Sequence, residues 1–63
     1  MTAAFLVCDE RQNRVTGATY RHPWALVYNH ERALTMARGN SNLVYEMEEK
    51  QAQEMYDNGR ITT

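Results

Sequence analysis

The sequence has only one cysteine, one proline and three glycines, and none of its apolar runs approaches the length of a membrane span. A lone cysteine, Cys8, cannot form an intrachain disulfide, which is typical of proteins kept in a reducing compartment. A transmembrane helix needs about 20 apolar residues, so no membrane association is predicted. The N-terminus also lacks the basic region and apolar core of a secretory signal. These absences predict a cytoplasmic protein.

The sequence also has little net charge: seven Lys and Arg residues against eight Asp and Glu residues give a formal net charge of −1. A domain that binds nucleic acid is usually visibly basic, so nucleic acid is the less favoured partner. Cys8, His22 and His30 do not have the close spacing of zinc ligands. Adjacent carboxylates such as Asp9 and Glu10 are more typical of a solvated turn than of an acid–base pair. We therefore expect no enzyme, cofactor or metal.

The length of 63 residues predicts a single domain over residues 1–63, near the lower limit for folding unaided. No repeat or Gly/Ser-rich linker divides the chain. A core of this size contributes roughly 3–5 kcal/mol net. A homodimer or a bound partner would therefore be a natural source of further stability.

Three stretches in the first half of the chain have the pattern of strands. Residues 3–8 are apolar at every position, which predicts a strand covered on both faces. Residues 14–20 are rich in β-branched and aromatic residues and form the second strand of a hairpin, with Gly17 at a bulge or close approach. After a connection at residues 21–23, residues 24–28 alternate as a strand does.

A short helix is predicted next, over residues 30–38. Asn29 is a suitable N-cap, and Gly39 can adopt the left-handed conformation that ends a helix. The connection from Tyr28 to Leu43 is long enough for a helical crossover, which would make the two flanking strands parallel.

The last third predicts a half-buried strand over residues 43–48, followed by a helix over residues 49–58 that stops at Gly59. The resulting fold class is α+β. We expect a small three- or four-stranded, mainly antiparallel sheet with two short helices packed on one face.

A second interpretation treats residues 43–58 as one continuous helix. The strand 24–29 and the helices 30–38 and 43–58 then resemble the ribbon-helix-helix repressors. In that family the strand pairs across a dimer and reads the major groove, so the resemblance implies a dimeric DNA-binding transcriptional regulator. Residues 24–28 contain no Arg, Lys, Asn or Gln to contact bases.

The aromatic residues give the main functional signal. A fold of this length can cover one sheet face, so an exposed apolar-aromatic patch is expected, and such patches mark interaction sites. Trp, Tyr and Arg dominate protein hot spots. The candidate partner-binding residues are Trp24, Tyr28 and Tyr20, with Arg14 and Arg21 at the rim. We expect a non-enzymatic module that binds and modulates or inhibits a larger protein, of the kind that phages and mobile elements encode.

Overall fold

The computed structural model describes residues 2–61. In chain order its elements are β1 (Ala3–Gln12), β2 (Thr19–Val27), α1 (His30–Met36), β3 (Val44–Glu48) and α2 (Glu49–Asn58). A short 3-10 turn, Ser41–Leu43, precedes β3.

The sheet has three strands in the order β2-β1-β3, with β1 in the centre. Both neighbours pair with β1 in the antiparallel sense. β2 and β3 therefore run parallel to each other, with α1 in the connection between them, as the length of that connection predicted. The α+β class, with a small antiparallel sheet and two helices, is confirmed.

The hairpin lies further along the chain than predicted. β1 continues to Gln12, and the turn occupies residues 13–18, so the predicted strand over residues 14–20 is wrong for most of its length. The Asn13 side-chain oxygen accepts hydrogen bonds from the backbone N–H of Val15 and Thr16, at 2.8 and 3.2 Å. These bonds hold the chain in a turn, a common use of asparagine. Gly17, at φ 76°, lies in this turn and not in a strand.

β2 is continuous across Pro23, where the sequence predicted a connection. The register shifts at this point: Val7 faces Ala25, whereas Cys8 faces Pro23. Trp24 is thus an extra residue with no partner on β1, which is the definition of a β-bulge. Because proline has no N–H to donate to the ladder, it is tolerated in a strand at such a bulge.

The buried residues form one cluster on each side of β1. The cluster against α2 contains Ala4, Leu6, Cys8 and Ala52. The cluster against α1 contains Phe5, Val7, Ala33 and Ala37. Successive residues of a strand point to opposite sides, so the apolar run 3–8 gives both sides of β1 an apolar surface. Each helix therefore covers its own side of β1, and the two do not share one.

The helix ends follow the predicted caps, except at the end of α1. The Asn29 side chain accepts from the Arg32 N–H at 3.0 Å, and Gly59 is left-handed at φ 71°. α1 has seven residues and stops at Met36, two residues earlier than predicted. It stops because Arg38 already adopts a positive φ, of 58°.

The two edge strands of the sheet, β2 and β3, are protected from pairing with another chain in different ways. The chain after α2 lies along β2, where the Ile61 N–H donates to the Arg21 carbonyl at 3.1 Å. The His22 Nδ1–H donates to the Gly59 carbonyl at 2.7 Å. β3 at the other edge is short and carries exposed Glu46 and Glu48, features that discourage pairing with another chain.

The continuous-helix interpretation of residues 43–58 is wrong. Val44–Glu48 is a strand that pairs with β1, and α2 begins only at Glu49. Residues 25–27 of the segment 24–29 pair with β1 of the same chain. The arrangement of strand, helix and helix that carried the resemblance to ribbon-helix-helix repressors is therefore absent.

Candidate partner-binding site

An open hollow of about 450 Å³ lies beside Trp24, between β2 and the end of α1. It is lined by Cys8, Asp9, Trp24, Met36, Ala37, Arg38 and Leu43. We call it the Trp24 hollow. The Trp24 side chain is 41% exposed, although tryptophan is the largest apolar residue in the chain. The bulge at Trp24 explains this exposure, because an unpaired residue is displaced from the regular alternation of the strand.

Arg38 gives the Trp24 hollow a positive charge at a conformational cost. It is the one residue other than glycine with positive φ in the described range 2–61. Such a conformation costs an L-residue roughly 1–2 kcal/mol, and glycine normally occupies this position after a helix. Within the same range, Arg38 makes no ion pair. Strain of this kind is concentrated at functional positions, so we include Arg38 in the candidate site.

The five residues proposed from the sequence do not form one surface. Tyr28 lies beyond the end of β2, where its hydroxyl donates to Glu49 Oε1 at 3.3 Å. Loss of hydration raises the pKa of Tyr28, and the negative charge of Glu49 raises it further. Tyr28 is not among the residues that line the Trp24 hollow.

Arg21 already has a partner within the chain. Its guanidinium forms an ion pair with Glu10, its neighbour across the strands β1 and β2. Hydrogen bonding to Glu10 is the main cause that raises the pKa of Arg21. An external acidic group would have to compete with Glu10 for this side chain.

Tyr20 and Arg14 lie near the hairpin turn, together with Arg11 and with Arg60, and sequence reasoning did not connect Arg60 to this group. Arg11, Arg14, Tyr20 and Arg60 line a second open hollow, of about 600 Å³, and we call these four residues the hairpin-end cluster. The Arg60 guanidinium carbon is 4.9 Å from the centroid of the Tyr20 ring, in cation–π contact.

Sequence reasoning also missed Met36, Arg38 and Leu43 as neighbours of Trp24. Met36 and Leu43 have the pattern of ordinary core residues, and both do pack against the α1-side cluster. The only sequence feature that singles out Arg38 is its position directly before the glycine that was expected to end the helix. Nothing in the spacing of these residues predicts that they line one hollow with Trp24.

The histidines and the cysteine are dispersed. His22 bonds to Gly59, and the His30 ring lies 5.3 Å from the Phe5 ring, centroid to centroid. Within residues 2–61 no group of three or more His, Cys, Asp or Glu side chains is placed to hold a metal ion. None of the helices in this range is long and apolar enough to span a membrane.

Cys8 is expected to weaken the fold in alkaline solution. Burial raises the pKa of its thiol from 9.0 to about 11, while Arg21 lowers this pKa and Asp9 raises it by smaller amounts. Between these two pKa values the unfolded chain loses the thiol proton and the folded protein keeps it. The free energy of unfolding therefore falls as pH rises from 9 to 11, by on the order of 2–3 kcal/mol from this group.

Urea denaturation of the wild type and of Cys8→Ala at pH 8 and pH 11 would measure this contribution. The wild type should lose more stability than the variant over this interval, by the amount given above. The comparison removes the effect of tyrosine and lysine titration, which both proteins share. Equal losses in the two proteins would show that the thiol ionises as readily in the folded state as in the unfolded chain.

Comparison of the chain with family models, with curated proteins and with solved structures finds no match. The function is therefore argued from the geometry of the two surfaces described above.

Proposed function

We propose that this protein is a non-enzymatic interaction module that binds a larger protein through the Trp24 hollow and modulates or inhibits that partner by occupying its surface. The observation that carries the proposal is an exposed tryptophan beside a conformationally strained arginine that has no ion pair within residues 2–61.

The composition of the Trp24 hollow supports a protein partner. Tryptophan, arginine and methionine are enriched at protein interfaces, and tryptophan and arginine dominate the residues whose removal weakens binding most. The hollow is concave and open, so an apolar side chain of a partner could lie against the indole ring. Arg38 at its border could then pair with a carboxylate of that partner.

The strain at Arg38 supports the same proposal. Glycine at position 38 would relieve the left-handed strain, whose cost is roughly 1–2 kcal/mol. A residue that lowers stability without an ion pair to offset the loss is typical of binding surfaces, where stability is exchanged for function. The arginine side chain has no ion pair within residues 2–61 that would explain its presence.

The proposal is tested by affinity capture from a lysate of the cells that make the protein, followed by measurement of Kd with the purified partner. Trp24→Ala should weaken binding at least 30-fold, which corresponds to about 2 kcal/mol. Tyr56→Ala is the matched control, because Tyr56 on α2 is 40% exposed and Trp24 is 41% exposed. This control should bind as the wild type does.

Arg38→Gly separates a binding role from a structural one. We expect this variant to unfold at a higher urea concentration than the wild type, because the strain is removed, and to bind the partner more weakly. The proposal fails if the wild type retains no protein, or if Trp24→Ala binds the partner as tightly as Tyr56→Ala does.

A further inference from the structure

The hairpin-end cluster concentrates positive charge that the chain itself does not neutralise. Arg11, Arg14 and Arg60 are all exposed. The ion pair found within residues 2–61 joins Arg21 to Glu10, so none of these three guanidinium groups has a carboxylate partner there. Three such groups around one hollow attract a ligand that carries several negative charges, and guanidinium groups bind carboxylates in a fixed, two-pronged geometry.

Apolar surface adjoins this charge. Tyr20 and Arg60 also border a hollow of about 300 Å³, lined by Asn13, Thr16, Ala18, Thr19, Tyr20 and Arg60. Val15 in the turn is 94% exposed. An extended ligand could therefore place negative groups on the arginines and an apolar group against Tyr20 and Ala18.

We propose that the hairpin end binds an extended, carboxylate-rich peptide segment that also carries an apolar side chain. Clusters of arginine are a recurrent means of recognising acidic segments. An apolar side chain of such a peptide could contact the exposed Val15 and the small hollow beside Tyr20. A phosphate backbone has no apolar group to make these contacts.

Two observations make single-stranded nucleic acid the less suitable ligand. Proteins that bind it offer free aromatic faces on which bases stack, but Arg60 already covers one face of Tyr20. They also present a continuous basic groove, whereas this chain has a net charge of −1 and exposed glutamates on β3.

The hairpin-end cluster is independent of the Trp24 hollow. The two hollows share no lining residue, so binding at one does not require the other. The inference thus stands or falls separately from the proposed function, and it can be tested with the purified chain and a synthetic ligand.

The test is fluorescence anisotropy with a labelled 12-residue peptide that contains six glutamates and a central leucine, at low salt. A peptide with glutamine in place of glutamate and an oligothymidylate with six phosphates serve as reference ligands. The protein variants are Arg11→Gln, Arg14→Gln and Arg60→Gln, alone and combined. Arg32→Gln, an exposed position on α1, is the matched control.

We expect the combined variant to bind the acidic peptide at least tenfold more weakly than the wild type, and Arg32→Gln to stay within twofold. The glutamine peptide should bind the wild type at least tenfold more weakly than the acidic peptide does. The inference is overturned if the wild type does not bind the acidic peptide, if the combined variant binds it equally well, or if the oligothymidylate binds more tightly than the peptide. Circular dichroism of each variant confirms that the fold is retained.

Discussion

Leu6→Ala is expected to lower the free energy of unfolding by about 3–5 kcal/mol, the range for leucine at fully buried sites. Leu6 is completely buried in the central strand. It faces Leu26 on β2 and Tyr45 on β3, so its side chain joins all three strands. A core of this size contributes roughly 3–5 kcal/mol in total, so the variant should be largely unfolded at room temperature.

Urea denaturation followed by circular dichroism and by the fluorescence of Trp24 would measure the loss. Val15→Ala is the control for truncation of an aliphatic side chain, because Val15 is 94% exposed. It should change stability by less than about 0.5 kcal/mol. A cooperative transition of Leu6→Ala close to that of the wild type would contradict the central position of β1.

Ala52→Glu is expected to be as damaging, at several kcal/mol, because it introduces a charge into the contact between α2 and the sheet. Ala52 is completely buried, in the cluster with Ala4, Leu6 and Cys8. An ionised carboxylate at such a site is left without water or a partner, so either it stays protonated or α2 leaves the sheet. The loss should therefore become smaller as the pH is lowered and the carboxyl group gains its proton.

Gln51→Glu adds the same side chain one residue earlier on the exposed side of α2 and should be nearly neutral. Thermal unfolding of both variants at pH 7 and pH 4 measures the difference. If Ala52→Glu unfolded at the temperature of Gln51→Glu at pH 7, α2 would not pack on the sheet as described.

The Trp24 hollow also depends on the stability of the fold. α1 has seven residues, too few to persist alone in water, so it depends on the sheet beneath it. Met36, Arg38 and Leu43 line one hollow with Trp24, and this arrangement requires α1 to lie on β1. Any destabilised variant should therefore be checked for folding before a loss of partner binding is attributed to the Trp24 hollow.

Much of the fold could be predicted from the sequence because it is encoded in local patterns. The apolar run 3–8 predicted a strand buried on both sides, and β1 has that property. The alternation over residues 43–48 predicted β3, and Asn29 and Gly59 predicted helix ends that the structure confirms. Burial periodicity and capping involve neighbours along the chain, so single-sequence reasoning can detect them.

The bounds of the hairpin could not be predicted in the same way. The outer half of β1, residues 9–12, is polar and exposed, so it has no apolar pattern to mark it as a strand. It is held by its backbone ladder to residues 19–22, whose hydrogen bonds depend little on the identity of the side chains. The proline suggested a break in β2, yet a bulge at Trp24 allows the strand to continue.

The sequence by itself therefore determined the α+β class, the central strand, β3 and both helices, and it marked tryptophan, tyrosine and arginine residues as candidates for an interface. Only the tertiary structure decided which of those residues meet. In the folded protein Arg38 lines one hollow with Trp24, and Arg60 contacts Tyr20. Tyr28 donates a hydrogen bond to Glu49 instead. The physical reason is that these contacts depend on strand register, on a bulge and on the path of the chain after α2, and none of these leaves a periodic trace in the sequence.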